Sequence, residues 1–410
     1  MAADALAELV ERLLAQVRAG TTEMADAEYE EPVGAYGDAG RFALERERFF
    51  GGDVPLVVGL SGQLPAPHTV VPFDDYGVPL LLRRDGAGRF RAFLNVCRHR
   101  GARVVEQAGR TRRMTCGYHG WTYDDGGALV GVPGAAGFVG VDRACRGLVE
   151  VPAGEAGGLL FVKPRADAAP FDAAGWLGGL APFLDEREVA TRPYLTDRIL
   201  DRPTNWKSAM DTFGEVYHFA STHRNTLAER TISDTMVTDT FGPHQRFAAP
   251  TRTITDYGAD PALAPLDVMS LVHLIYPNAT LLVSTRSIQL YTVAPGRSPG
   301  ESLMRQRFFA PVGAESEVER PALLEMCDFY FQVVRDEDWA KAEAVEAGLR
   351  SGANETVVFG RNELCLHRMH DAWRAGLGLP TPSRTPGSGV SPGTPGSGVS
   401  PEDMFDTQPA

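Results

Sequence analysis

The chain has 410 residues, of which 43% are apolar and 23% charged, so a globular protein with more than one core is expected. Its formal charge of −13 argues against nucleic acid as the main partner, because holding phosphates takes concentrated Lys and Arg. No run of roughly eighteen apolar residues occurs, so no membrane span is expected.

The opening "MAADALAELVERLLAQVRAG" places Leu6, Leu9, Leu13 and Leu14 on one stripe of an amphipathic helix. It lacks the basic start and apolar centre of a secretory signal, and a cytoplasmic location is the expectation. Residues 1–45 read as mostly helical. From 46 to 165 short strands and turns take over. "VPLLLRRDGAGRFRAFLNVC" is two strands about an Asp-Gly turn, and "GLLFVKP" at 158–164 is a closing strand. Residues 166–380 mix helical spacing (205–223, 321–349, 364–377) with long strands (271–296, 302–312), which predicts an α+β domain around an antiparallel sheet. In 381–410, "TPGSGVSPG" is followed by a near copy, and this Pro/Gly/Ser composition predicts a disordered tail.

Five cysteines in a chain this long do not suggest a disulfide framework. Two of them have metal spacing. "CRHRGARVVEQAGRTRRMTCGYH" holds Cys97, His99, Cys116 and His119 as Cys-x-His and Cys-x-x-His. Structural zinc accepts two thiolates and two imidazoles in one tetrahedron. A [2Fe–2S] cluster of Rieske type puts both thiolates on one iron and both neutral imidazoles on the other. The surrounding "NVCRHRGARVV" and "CGYHGWTYDDGGAL" resemble the two cluster loops of the Rieske non-haem iron oxygenases, the large subunits of ring-hydroxylating and demethylating oxygenases. That family often has Pro where this chain has Gly117.

Downstream, "DTFGEVYHFASTH" carries Asp211, Glu215, His218 and His223. On a helix these four would fall within roughly 140° of one another. With "NWK" at 205–207 before it, this stretch resembles the family's mononuclear iron segment. The resemblance implies that His218 and His223 bind Fe(II) with a carboxylate from a late helix, leaving positions open for O₂ and substrate. "VVRDEDWAKAEAV" offers Asp336, Glu337 and Asp338; the family register selects Asp338, with Asp336 as the other candidate. It further implies that Glu215 bridges an iron-binding histidine to a cluster histidine of a neighbouring subunit in a head-to-tail homotrimer. Most ring-hydroxylating members carry Asp there; Glu is a feature of members acting on quaternary ammonium compounds. Asp211-Thr212-Phe213 replaces the usual Glu-Asn-Phe, and Gly214 replaces a bulky residue.

The fold so implied is a small all-β Rieske domain followed by a helix-grip catalytic domain. The implied activity is O₂-dependent hydroxylation, or oxidative dealkylation, of a small organic substrate. No G-x-G-x-x-G occurs, so NAD(P)H electrons would arrive through a separate reductase, with or without a ferredoxin. The competing reading is a zinc-stabilised ligand-binding scaffold; a ferredoxin would leave the second constellation unused. Phe213, Phe219, Phe241, Phe329 and Tyr330 are candidate pocket walls. Tyr217 is expected to support His218 or to pack beside it rather than to act in catalysis, and His68, His244, His273, His367 and His370 are expected to be structural.

Overall fold

The computed structural model describes residues 2–314 and 318–382. Almost all of the Pro/Gly/Ser stretch expected to be disordered lies outside them. No helix of the described residues is long and apolar enough to cross a membrane.

A seven-stranded antiparallel sheet dominates the second half. Its spatial order is Tyr194–Arg202, Ser302–Phe309, Ile288–Pro295, Ala279–Val283, Met269–Ile275, His244–Pro250, Val237–Phe241. Both faces are covered, so these strands read as nearly continuous burial rather than alternation. One face carries Ala248, Leu271, Leu281 and Leu290, packed with Leu9, Val10 and Leu13 of the helix Ala2–Ala19 and with Leu180 and Leu184. The opposite face carries Phe247, Leu274, Tyr291 and Met304, packed with Trp206, Met210, Trp339 and Trp373. This is the expected helix-grip arrangement.

The β-rich first half contains a five-stranded sheet (Thr69–Phe73, Leu80–Arg84 and Phe90–Leu94, flanked by Gly109–Arg110 and Glu150–Val151) and two three-stranded sheets. The expected hairpin pairs Leu80 with Leu94 and Arg84 with Phe90. Its turn closes because the Asp85 carboxylate accepts from the Ala87 and Arg89 N–H groups, with Gly88 in the left-handed region at φ +82°.

Residues 1–45 are mostly helical as expected, in Ala2–Ala19, Gly34–Gly37 and Ala39–Glu45, with one strand, Tyr29–Pro32, paired with Thr356–Phe359. Two expectations need correction. The helix expected over 205–223 is broken into Trp206–Asp211 and Phe219–Thr222. Gly214 lies against the helix Leu364–Gly376, where a Cβ would run into the Leu366 side chain. The late helix is also interrupted. Arg320–Val333 and Trp339–Leu349 are joined by a π-helical turn, Val334–Asp338. Such a turn widens the helix by one residue and re-aims the side chains after it.

The helix leading into the site is anchored by a buried ion pair. Lys207 Nζ donates to both Glu45 carboxylate oxygens at 2.7 and 2.6 Å, and both side chains are fully buried. Trp206 Nε1 donates to the same carboxylate at 2.9 Å. Glu45→Leu strands the lysine charge and should destabilise the protein by about 3–5 kcal/mol in denaturant unfolding, whereas Glu45→Leu/Lys207→Met together should cost far less.

Candidate metal centres

Cys97 and Cys116 occupy two similar knuckles. Cys97 N donates to Ala102 O at 2.7 Å, and Gly101 N to Cys97 O at 2.9 Å. Cys116 N donates to Trp121 O at 2.9 Å, and Gly120 N to Cys116 O at 3.0 Å. Gly101 (φ +83°) and Gly120 (φ +70°) take the same left-handed place in each knuckle, where a side chain would be strained. Both thiols are buried, and burial pushes the Cys116 thiol up. The His99 and His119 rings lie 4.7 Å apart. His99 stacks on Trp121 at 4.9 Å, and burial, with His119 and Arg100 nearby, lowers its pKa toward the neutral form a ligand needs. His119 is exposed, beside an exposed Tyr118. Among the described residues these thiols and imidazoles do not bring three ligand atoms within 4.8 Å of one another. That spacing suits a cluster of two metals better than one tetrahedral ion.

His218, His223 and Asp338 do come that close. His218 Nε2 and His223 Nε2 are 3.1 Å apart, and Asp338 Oδ1 lies 3.4 and 3.2 Å from them. Neighbouring ligands each about 2.1 Å from one metal are separated by about 3 Å, so the trio fits a divalent ion on one face. The other ring nitrogens are tied back. His218 Nδ1 is held by the Glu215 carboxylate, and His223 Nδ1 by Glu337 Oε2 at 2.5 Å, which leaves both Nε2 atoms free to face a metal. Thr226 donates to Glu337 at 2.7 Å and steadies it. Burial works against charge on His218, yet Asp338 and Glu215 outweigh it and push its pKa up to about 10. Burial also opposes charge on Asp338, but the two imidazoles hold its carboxyl below the usual range. The trio therefore already favours positive charge among its carboxylates.

Asp338 is buried because the π-helical turn aims it inward, while Asp336 stays exposed and pairs with Arg335 at 2.6 Å. A cleft of about 200 Å³ opens over Glu215, His218 and Asp338, walled by Val345 and Val357. Of the aromatic wall candidates, Phe219 packs on both site imidazoles at 5.0 Å. Phe213 packs 4.8 Å from Tyr291, on the sheet face below the site. Tyr330 lies in the apolar cluster of Phe308 and Cys327. Phe241 is on the opposite sheet face under Arg246, and Phe329 is exposed on the helix Arg320–Val333, so neither serves as a wall. Tyr217 is 59% exposed, which does not fit a packing role.

His370 is the residue whose part the sequence did not reveal. Fully buried, its Nε2 meets Asp211 Oδ1 at 2.9 Å on the cleft wall, and Tyr36 donates to the other Asp211 oxygen at 2.8 Å. Its spacing to any motif is irregular, so only the packing of Leu364–Gly376 against Trp206–Asp211 exposes the link. The remaining histidines are held as expected: His244 by Trp176 O, His273 by Leu281 O, His367 by Gly360 O and His68 by Asp125.

Glu337→Gln takes the negative charge off the acceptor that orients His223. Affinity of the trio for Co(II), read by calorimetric titration, should fall about 10- to 100-fold while the fold is kept.

A model of the Rieske [2Fe-2S] domain matches residues 54–145, and one of the ring hydroxylating alpha subunit (catalytic domain) matches residues 190–378. The alpha subunit of biphenyl 2,3-dioxygenase from Rhodococcus jostii is 33% identical over 196 residues, 46% of this chain and 42% of that one. The glycine betaine monooxygenase oxygenase subunit of Chromohalobacter salexigens is 32% identical over 224 residues, 52% of this chain and 48% of that one. The matches thus span less than half the length of these curated relatives. Among solved structures, the quaternary ammonium Rieske monooxygenase CntA with L-carnitine superposes with a TM-score of 0.71 at 19% identity, covering 85% of this chain and 96% of that one. Naphthalene 1,2-dioxygenase from a Rhodococcus species, bound to indole, gives 0.68 at 19% identity, covering 92% and 99%. These two likenesses concern the fold alone. With a Rieske domain and a ring-hydroxylating catalytic domain in this order, the chain belongs to the Rieske non-haem iron oxygenase family.

Proposed function

We propose that this protein is an O₂-dependent oxygenase that hydroxylates, or oxidatively dealkylates, a small organic substrate. The observation that carries the proposal is the His218/His223/Asp338 face, with both imidazoles oriented by carboxylates, on the same chain as the paired Cys/His knuckles. Cys97, Cys116, His99 and His119 would hold the [2Fe–2S] cluster, and His218, His223 and Asp338 a ferrous ion. When bound, the cluster supplies single electrons, and the ferrous ion offers positions for O₂ beside substrate.

The chain's own groups prepare that chemistry. Cys97 and Cys116 keep the sulfur end dry, while exposed His119 presents the imidazole end to a partner. Glu215 is 8% exposed on the floor of an open cleft. One of its oxygens holds His218 Nδ1 and the other accepts from the His218 backbone N–H at 3.0 Å. In a head-to-tail homotrimer the same carboxylate would accept from His119 of the partner subunit and so join the two centres through hydrogen bonds. Asp211, held by His370 and Tyr36, adds fixed negative charge beside that contact. Electrons would come from NAD(P)H through a separate reductase, with or without a ferredoxin.

The test is anaerobic reconstitution of the full chain, followed by a coupled assay with a generic reductase. Roughly three irons and acid-labile sulfide per chain are expected, with a red-brown absorption that bleaches on reduction. Colourless protein with one zinc would overturn the proposal. Glu215→Gln, loaded with excess ferrous ion to offset weaker binding at His218, should keep sulfide and colour while product formation at full iron occupancy drops about 10- to 100-fold. Unchanged turnover in that variant would remove Glu215 from the electron route.

A further inference from the structure

The cleft over Glu215 and His218 holds more negative charge than the chain itself balances. Asp211, Glu215, Asp338 and Glu363 all line it. Among the described residues the first three pair with imidazoles only, and Glu363 forms no ion pair. Lys341 lines the same cleft but is exposed and bonds to none of them. Burial, with the charges of Glu215, Asp211 and Asp234, pushes the Glu363 carboxyl up to about 7. Glu363 Oε2 accepts from Gly360 N at 2.5 Å, and its Oε1 accepts nothing among the described residues. A second acceptor lines the cleft. Ser208 is only 4% exposed, yet its Oγ has no hydrogen-bond partner within the chain. A spare carboxylate oxygen and a spare hydroxyl among uncompensated carboxylates suit a cation that carries N–H donors.

A cation of that kind stands exposed at the other centre. From Cys97 to His119 the chain has six arginines against one acidic residue, Glu106, although its overall charge is −13. The Arg100 guanidinium lies 5.3 Å over the Tyr118 ring, and that ring is 3.7 Å from the His119 ring. Arg100, Tyr118 and His119 are all exposed, so the stack forms an outward-facing tip beside the knuckles. Val139 is 90% exposed and follows Phe138, which packs on His99. Bare apolar and aromatic groups stand at the cleft as well: Val345 on its wall, and Tyr217 next to His218 in sequence. The two surfaces carry opposite charge, and each leaves apolar groups in water that contact with the other would cover.

We propose that Arg100 of the partner subunit docks in this cleft, donating to Glu363 with Ser208 as the further acceptor, and thereby positions His119 of the partner subunit against Glu215. The inference rests on the oxygenase reading for the approach of His119 to Glu215, and it adds the contact that fixes their angle. A lone imidazole–carboxylate hydrogen bond leaves two copies free to turn about it, whereas a planar guanidinium held by two acceptors does not. The occupant is a second copy rather than a free amine because the matching cation, the exposed imidazole and the bare apolar groups share one surface of this chain.

Self-association of the reconstituted full chain is measured by sedimentation equilibrium, with iron and sulfide determined on the same samples. Arg100→Glu and Glu363→Lys should each weaken association at least about tenfold, and the two exchanged together in one chain should recover most of it. Arg100→Gln and Glu363→Gln make a second cycle that puts no new charge in the cleft. Each should weaken association, and the pair should cost little more than either alone. The proposal is overturned if wild type stays monomeric, or if Arg100→Glu leaves association unchanged. It is overturned equally if the exchanged pair recovers nothing while the losses of the neutral pair simply add. Methylguanidinium bound by wild type, with association unchanged in Arg100→Glu, would make the cleft a site for a free cation and also overturn it. Missing iron and sulfide would instead defeat the oxygenase reading, and the association constants would still decide this contact.

Discussion

Everything at the mononuclear site depends on two carboxylate–imidazole hydrogen bonds. An imidazole ring can present either nitrogen, and a free side chain samples many rotamers. Glu215 and Glu337 remove that freedom by holding the Nδ1 atoms of His218 and His223. The two Nε2 atoms then converge with Asp338 Oδ1 at separations of 3.1 to 3.4 Å. Without those acceptors the rings could turn away, and the trio would be three polar residues near one another.

The carboxylates are themselves held by distant parts of the chain. Glu337 and Asp338 follow one another in the π-helical turn Val334–Asp338, so one side chain buttresses a ligand while the next joins the trio. The segment before Glu215 is anchored through Lys207 and Trp206 to Glu45, at the end of the short helix Ala39–Glu45. Asp211 is clamped by His370 and Tyr36, and Glu31, paired with Arg374 at 2.7 Å, lies 3.7 Å from His370. Residues before the Rieske domain thereby set the position of the catalytic helix. Buried charges are expensive when unpaired, so this network tolerates few alternative arrangements and keeps the site rigid.

The two centres differ in how they meet solvent, and that difference has functional weight. The cysteines are buried and His119 is exposed, whereas His223 and Asp338 are buried and the way in lies over Glu215. One centre offers an imidazole outward, and the other offers a carboxylate at the floor of a cleft. Under the proposed function, this complementarity would serve electron transfer between copies of the chain.

Much of this was legible in the amino-acid order. Short-range spacing names the Cys/His knuckles, the two candidate metal-binding histidines, Glu215 and the three acidic candidates, because those groups lie within one loop or one turn. The amphipathic first helix and the Leu80–Leu94 hairpin are likewise local, set by periodicity and by an Asp-Gly turn. What tertiary structure decided was everything that depends on an approach between distant segments. The break at Gly214 exists because Leu366 leaves no room for a side chain. The resemblance already pointed to Asp338, but its burial beside the histidines while Asp336 stays exposed comes from an interrupted helix that no propensity marks. His370 meets Asp211 across 159 residues, and a polar row of Thr280, Tyr291 and Gln306 appears only once strand register puts three residues side by side. Sequence determines which groups are available and their local shape; long-range packing determines which of them touch, because burial and register are properties of the assembled chain.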